Sequence, residues 1–302
     1  MRIVNLALLA SVVALAGCSD GSRFGNNATS GGKVVDGYLA GALVCADENL
    51  SRSCDPSEPS TTTDARGNFR LTGLTSRQAR VPLVMEVQPG TIDLDTGLAP
   101  PAGLKYFAPA GSKVVSALST VIQARIEAAI ALAVSLGEPV PSLQTLKAQA
   151  NASLAADLGL PGINLLAYDP VALKNNEALS NSVRRTAAEI HVVNQILSEQ
   201  IANLLPAAEA LVPGEEDAAF SVVISKLDPA DVRAAVEADL TAFTLNDFLT
   251  NPAMLDNVTS ETPPTAPTVT EVNDQVAADA DIREAINNKL PDPTPTGGTS
   301  GA

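Results

Sequence analysis

Aromatic residues are scarce in this chain of 302 residues, since it has no tryptophan and aromatics make up only 3%. Its hydrophobic residues, 45% of the total, must therefore build a core of alanine, valine, leucine and isoleucine, which suits packed helices. The same scarcity disfavours a glycosidase, because sugar-binding clefts usually offer aromatic platforms. One large domain or two modest domains fit this length.

Histidine is almost absent as well, and the single residue of this type is His191, on a segment with helical periodicity. A zinc site that joins it to the cysteines is not expected, because it lies far from them in sequence. A lone helical histidine is usually a partly buried polar residue. Neither a His-Glu-x-x-His motif nor a phosphate-binding glycine loop occurs, so we predict that the protein is not an enzyme.

Basic residues are few, with 19 lysines and arginines against 34 acidic residues and a net charge of −15. This balance excludes nucleic acid as an expected partner and disfavours adsorption to anionic lipid head groups. It fits a soluble body held away from a membrane, and it favours divalent cations. Acidity that serves solubility alone is the alternative interpretation.

The N-terminus has the layout of a signal peptide. After the short basic start Met1-Arg2, residues 3–16 are apolar except at two positions, and this run is too short for a spanning helix. It ends in Leu15-Ala16-Gly17-Cys18, which resembles the lipobox of bacterial lipoproteins. The resemblance implies cleavage after residue 17 and acylation of Cys18. A secreted protein with a chance cysteine is the alternative.

The residues after Cys18 bear on location. In the best-studied lipoprotein sorting systems an aspartate directly after the cysteine marks inner-membrane retention, and Ser19 stands there instead. The resemblance therefore implies the bacterial outer membrane, with the periplasmic or cell-surface face left open. Residues 18–32 are rich in glycine, serine and asparagine, so we predict a flexible tether.

Three cysteines occur in the chain, and one of them is assigned to lipid. Cys45 and Cys54 remain as an even pair in an oxidising compartment, so we predict a disulfide between them. In the chain-entropy model, closing a loop of about ten residues contributes about 2.7 kcal/mol to stability.

The pattern of short runs and turns predicts an α+β chain with a small antiparallel β-sandwich at residues 33–110. From residue 111 the apolar residues recur at helical spacing, which predicts a mainly α-helical domain over residues 111–258. Residues 259–302 are predicted to be a Pro/Thr-rich linker, an acidic helix and a disordered tail. Five predicted helices have both ends assigned: 112–136, 142–158, 181–205, 244–255 and 272–290. Two more are predicted to begin at Pro170 and at Pro229, each preceded by an aspartate cap.

One polar loop in the predicted sandwich has the spacing of a calcium site. Six oxygen-bearing residues occupy positions 1, 3, 5, 7, 9 and 12 of a twelve-residue window, as in an EF-hand loop: Asp47, Asn49, Ser51, Ser53, Asp55 and Glu58. Position 6 departs from the pattern, because Arg52 stands where the sharp turn calls for glycine. We expect Arg52 to strain the turn and to bring positive charge near the ion.

The surrounding sequence resembles the prealbumin-like β-sandwich modules of bacterial surface proteins, which are related to carboxypeptidase regulatory-like domains and to adhesin B-type repeats. The motifs that carry the resemblance lie within residues 33–75: Val35-Asp36-Gly37-Tyr38-Leu39-Ala40-Gly41-Ala42, Asp47-Glu48-Asn49, Asp55-Pro56-Ser57-Glu58-Pro59 and Thr63-Asp64-Ala65-Arg66-Gly67-Asn68-Phe69. Such modules often bind calcium in the loop between two strands. The alternative is a solvated surface loop closed by the disulfide.

A second acidic segment, Asp93-Leu94-Asp95-Thr96-Gly97, could hold a cation, but we predict a turn between strands. The expected function is a non-enzymatic envelope lipoprotein that acts as a structural, adhesive or protein-binding module. The alternative is a periplasmic ligand-binding lipoprotein that serves an envelope machine. A ligand-binding protein needs a large pocket with convergent polar groups, whereas a spacer or adhesin needs only a packed core and an exposed face.

Overall fold

The computed structural model describes residues 28–239, 244–250 and 264–291, without the side chains of 248–250. Within these ranges the protein is α+β, as predicted, with the strands in the first part of the chain and the helices after it. The strands are β1 Ala28–Val34, β2 Leu39–Ala40, β3 Leu43–Ala46, β4 Ser60–Thr62, β5 Asn68–Leu74, β6 Leu83–Glu86, β7 Ile92–Asp93, β8 Lys105–Ala108 and β9 Val114–Val115.

The described strands form three sheets. The largest has the order β4-β3-β6-β8 and is antiparallel throughout. A second sheet has the order β5-β1-β9, in which β1 runs antiparallel to β5 and parallel to β9. The short strands β2 and β7 pair with each other. Because β9 lies beyond residue 110 and still pairs with β1, the β-region extends past the predicted boundary.

The predicted tether at residues 18–32 is wrong over its last five residues, because residues 28–32 belong to β1. Glycine-rich composition is typical of a flexible linker, but in this strand glycine permits close backbone approach. A Cβ atom on Gly32 would lie 2.4 Å from the carbonyl oxygen of Lys113, on the neighbouring chain segment. Gly32 therefore fits β1 between its partner strands for a steric reason.

The helices of the described residues are α1 Ala117–Ser135, α2 Leu143–Asp157, α3 Pro170–Asn175, α4 Asn181–Glu209, α5 Glu216–Ser225, α6 Pro229–Asp239, α7 Leu245–Thr250 and α8 Val269–Asn287. Their starts follow the caps that the sequence shows. Ser116 and Thr268 each form a capping box, and Asp169 caps α3 ahead of Pro170. Helix α5 begins at the acidic pair Glu215-Glu216, a pattern typical of a helix N-terminus.

Helix α1 lies at the centre of the molecule and packs against β8, α2, α4, α5 and α8. By length and composition it could cross a membrane, but most of it is packed inside the protein. Hydrogen bonds fasten its first turn to β8, because the Phe107 amide donates to Thr120 Oγ1 and Ser119 Oγ donates to the Phe107 carbonyl. Buried side chains of the β-region and of the helices form one continuous cluster.

Candidate functional site

The predicted calcium loop connects β3 to β4. At its start Asp47 is fully buried, and its carboxylate accepts hydrogen bonds from two backbone amides, Ser51 at 2.9 Å and Arg52 at 3.0 Å. Burial raises the pKa of Asp47 to about 7, although these two hydrogen bonds favour its charged form. Asp47 therefore organises the turn directly, through the backbone.

At the other end of the loop, Glu58 also binds backbone amides. Its Oε1 accepts hydrogen bonds from Glu48 at 2.6 Å and from Asn49 at 3.3 Å. Its Oε2 accepts a hydrogen bond from the Asp55 amide at 3.2 Å. Glu58 thus closes the loop through the loop's own backbone amides, whereas the motif predicts that this carboxylate would ligate the ion.

Three of the predicted ligands converge in the middle of the loop. Asp55 Oδ2 accepts hydrogen bonds from Asn49 Nδ2 at 2.6 Å and from Ser51 Oγ at 3.1 Å. The carbonyl of Ser53 lies 3.3 Å from Ser51 Oγ, whereas its hydroxyl turns away to Asp217 of α5. Among the described residues, no group of three or more His, Cys, Asp or Glu side chains is arranged to hold a metal.

Arg52 does adopt the strained backbone that its position demands, with φ +58°. The expectation that it brings positive charge near the ion is wrong for a tertiary reason. Its guanidinium leaves the loop and lies buried between two helices, bidentate to Asp279 of α8 at 2.7 Å and bonded to Glu127 of α1 at 2.9 Å. Burial disfavours this charge, but the two carboxylates outweigh that effect and raise the pKa of Arg52.

The predicted disulfide is confirmed in geometry. The sulfur atoms of Cys45 and Cys54 lie 2.12 Å apart and their Cα atoms 5.7 Å apart, so the bond joins the end of β3 to the middle of the loop. The Cys54 amide also donates to Glu86 of β6 at 2.9 Å. The loop is therefore attached to the four-stranded sheet as well as to the helices.

A set of buried polar residues, here called the buried polar cluster, joins the β-region to α3 and α4: Asp36, Tyr106, Lys174, His191, Asn194 and Ser198. Ser198 Oγ donates to Asp36 at 2.9 Å and accepts from Tyr106 at 2.7 Å. Lys174 Nζ lies 2.8 Å from His191 Nδ1 and 3.1 Å from the carboxylate of Asp95. His191 Nε2 contacts the carbonyl of Asp36.

The charges in this cluster are set chiefly by burial. Burial raises the pKa of Asp36 to about 7, and the nearby carboxylate of Asp93 adds to the effect. Burial and then the charge of Lys174 lower the pKa of His191 to about 4, so its imidazole is neutral at pH 7. Nδ1 then accepts a hydrogen bond from Lys174, and Nε2 carries the proton that it donates to the Asp36 carbonyl. His191 is a buried polar residue, as predicted.

The segment at 93–97 is a turn. Asp93 Oδ1 accepts a hydrogen bond from the Asp95 amide at 2.9 Å, and the Gly97 amide donates to the Asp93 carbonyl at 2.8 Å. The carboxylate of Asp95 forms a salt bridge with Lys174 of the buried polar cluster. The turn that the sequence predicted is confirmed.

A groove of about 500 Å³ opens where the β-region meets the middle of α1, the start of α2 and the end of α8. Its apolar lining includes Ile126 of α1, Leu143 of α2, and Ile286 and Leu290 at the end of α8. Three basic side chains complete the lining: Arg80, Lys147 and Lys289. None of the lining residues carries a carboxylate. Sequence reasoning missed this site, because each of its basic residues comes from a different part of the chain.

Comparisons with protein-family models, curated proteins and solved structures gave no match to this chain. The candidate sites are therefore interpreted from their own geometry. The predicted lipidation site, Cys18, and the predicted tail beyond residue 291 lie outside the described residues.

Proposed function

We propose that this protein is a non-enzymatic binding protein of the bacterial envelope, anchored at the outer membrane by acylation of Cys18. The lipobox-like Leu15-Ala16-Gly17-Cys18 supports the anchor. Its described body begins with β1 at Ala28, so a short segment joins body and lipid. The face of the membrane on which the body lies is left open.

The proposal includes a prealbumin-like β-sandwich as the N-terminal region and a helical region after it. Its support is the order of the motifs: the loop at 47–58 lies between β3 and β4, and Asp64 closes the turn before β5 by accepting hydrogen bonds from the Arg66 and Asn68 amides. Because the two regions share buried side chains, we expect them to unfold together.

The groove carries the binding role. Ligand sites are typically concave, mostly apolar and about 300–1,000 Å³ in volume, with a few polar groups that orient the ligand. The groove has that size and an apolar lining with three basic groups. This arrangement favours a ligand-binding lipoprotein, periplasmic or surface-exposed, over a pure spacer.

A non-enzymatic role is supported by where the reactive groups lie. Asp36, His191 and Ser198 combine residue types that catalysts use, but they are buried and bonded to one another or to neighbouring groups. Their arrangement stabilises the junction between the β-region and α4, and they do not line the groove.

A structural or adhesive role, through contact with another protein, is the second candidate. It is favoured by one observation, the apolar side chains Ile92, Leu94 and Leu98 on and beside the turn at 93–97, which are 44%, 43% and 69% exposed. Apolar groups that cluster on a surface often mark contacts with partners.

The experiment is purification of the full chain from bacterial membranes followed by native mass spectrometry. We expect wild type in the membrane fraction with a bound small molecule, Cys18→Ser in the soluble fraction, and Leu143→Glu in the membrane without the small molecule. Leu132→Glu, at an exposed site of α1 outside the groove, is the matched control. A wild-type mass without any adduct would argue against ligand binding and favour the adhesive role.

A further inference from the structure

We propose that the groove binds a small amphipathic anion, meaning an apolar body with one carboxylate or phosphate group. This inference rests on the ligand-binding role proposed above and specifies the ligand chemistry. The apolar lining, with Ile126, Leu143, Ile286 and Leu290, would bury the body of the ligand. The charge around it would select the head group.

The charge argument comes from the contrast between the groove and the rest of the chain. Acidic residues outnumber basic residues by 34 to 19, yet the groove lining contains three basic side chains and no carboxylate. Neither Arg80 nor Lys147 nor Lys289 forms a salt bridge with a residue that the structure describes. Because no described carboxylate pairs with these three side chains, their positive charge is available to an anionic ligand.

Lys147 shows this most clearly. It is partly buried, and its Nζ donates to the carbonyl of Ala110 at 2.9 Å, a neutral acceptor. Burial lowers the pKa of Lys147, and no carboxylate offsets that effect. An anion in the groove would supply the missing opposite charge and stabilise the protonated lysine.

One further feature, the N-terminus of α2, favours a negatively charged head group. The first turn of α2 lines the groove with Ser142, Leu143 and Gln144, and contains no acidic residue. Amides at a helix N-terminus carry partial positive charge, which adds to that of the lysines.

The test measures binding of defined ten-carbon probes to the full chain by calorimetry, below the concentration at which the probes aggregate. Decanoate and decyl phosphate supply the two anionic heads, decanol an uncharged head and decyltrimethylammonium a cationic head. We expect one molecule of each anion per protein, bound at least tenfold more tightly than decanol, and no saturable binding of the cation. The ratio of the two anion affinities shows which head group the site prefers.

Two triple variants locate the binding. Arg80→Gln, Lys147→Gln and Lys289→Gln together should weaken anion binding at least tenfold. Substituting glutamine for Arg66, Arg70 and Lys113, which are exposed and lie outside the groove, makes the same change in net charge and should alter affinity less than twofold. Thermal unfolding without ligand verifies that both variants fold.

The outcomes separate this inference from the function on which it rests. Equal affinity for anion and cation, or equal loss in both triple variants, would overturn the anionic ligand. If decanol binds as tightly as decanoate and Leu143→Glu removes both, the groove still binds ligands but not by charge. If no probe binds while native mass spectrometry shows a bound molecule, the amphipathic class is wrong and the binding role stands.

Discussion

At the scale of single residues, Arg52 has two separate roles, one for its backbone and one for its side chain. Its backbone supplies the left-handed turn that a calcium-type loop places at position 6, at a cost of about 1–2 kcal/mol for a residue with a Cβ. Its side chain joins that loop to α1 and α8 through Glu127 and Asp279. The ion pairs are buried, so loss of the arginine would leave two carboxylates without their cation.

We predict that Arg52→Ala lowers the free energy of unfolding by about 3–5 kcal/mol, because it leaves uncompensated buried charge. Arg52→Gly should be about 1 kcal/mol more stable than Arg52→Ala, since glycine accepts the positive φ without strain. Urea unfolding measures both. The control is Arg66→Ala, at an exposed arginine, with an expected change within about 0.5 kcal/mol. A loss below 1 kcal/mol for Arg52→Ala would show that the buried ion pairs contribute little.

At the scale of elements, the loop at 47–58 brings together only part of the predicted ligand set. The terminal carboxylates, Asp47 and Glu58, bind backbone amides and hold its shape. The inner group of Asn49, Ser51 and Asp55 brings its oxygen-bearing side chains together. Calcium at this position would take oxygens from the inner group and displace their mutual hydrogen bonds.

We predict weak calcium binding at the loop, with a Kd of about 10⁻⁴–10⁻³ M, as in extracellular modules. Asp55→Asn should weaken it about tenfold, because it removes a charged ligand. Asp274→Asn, at an exposed position on α8, is the matched control and should leave it unchanged. Isothermal titration and thermal unfolding measure both effects. Absence of heat together with an unchanged Tm at millimolar calcium would exclude the site.

The other elements show which signals in the sequence are reliable. Helix starts at Ser142, Asp169 and Ser180 follow local capping groups, and all three predicted starts agree with the structure within one residue. Strand β1 is the exception, because its Gly31-Gly32 pair is typical of a linker and only the folded chain brings the backbone of Lys113 beside it. Local chemistry predicts where elements begin, but not which segment needs a close neighbour.

At the scale of the whole molecule, buried titratable groups make stability depend on pH. Asp36 has its pKa raised to about 7, so folding favours its protonated form. Its stabilising contribution is complete below pH 3.8 and is lost as the pH rises through 7. His191 has the opposite sign: with its pKa lowered to about 4, folding favours the neutral ring, and stability falls as the pH drops below 6.5.

We predict that Asp36→Asn becomes more stable relative to wild type as the pH rises from 4 to 8, because the amide never acquires the buried charge. The amide oxygen can still accept the hydrogen bond from Ser198. Asp274→Asn, which changes the net charge equally from an exposed site, should show no such trend. Urea unfolding at pH 4, 6 and 8 measures the differences. A constant difference for Asp36→Asn would mean that its carboxyl titrates normally in the folded protein.

Sequence alone determined the α+β order, the starts of α2, α3 and α4, the cysteine pair and the spacing of the loop, because these depend on residues that are close along the chain. The start of α1 was not among them, because residues 114–115, predicted to be helical, pair as β9 with the distant strand β1. Tertiary structure decided the partners of Arg52, the basic groove and the buried polar cluster. Each of these joins positions far apart in sequence: 52 with 127 and 279, 80 with 147 and 289, and 36 with 191 and 198. The pattern of neighbouring residues in the sequence predicts which side chains are buried and where the chain turns. Ion pairs and cavities form only when packed elements bring distant side chains together.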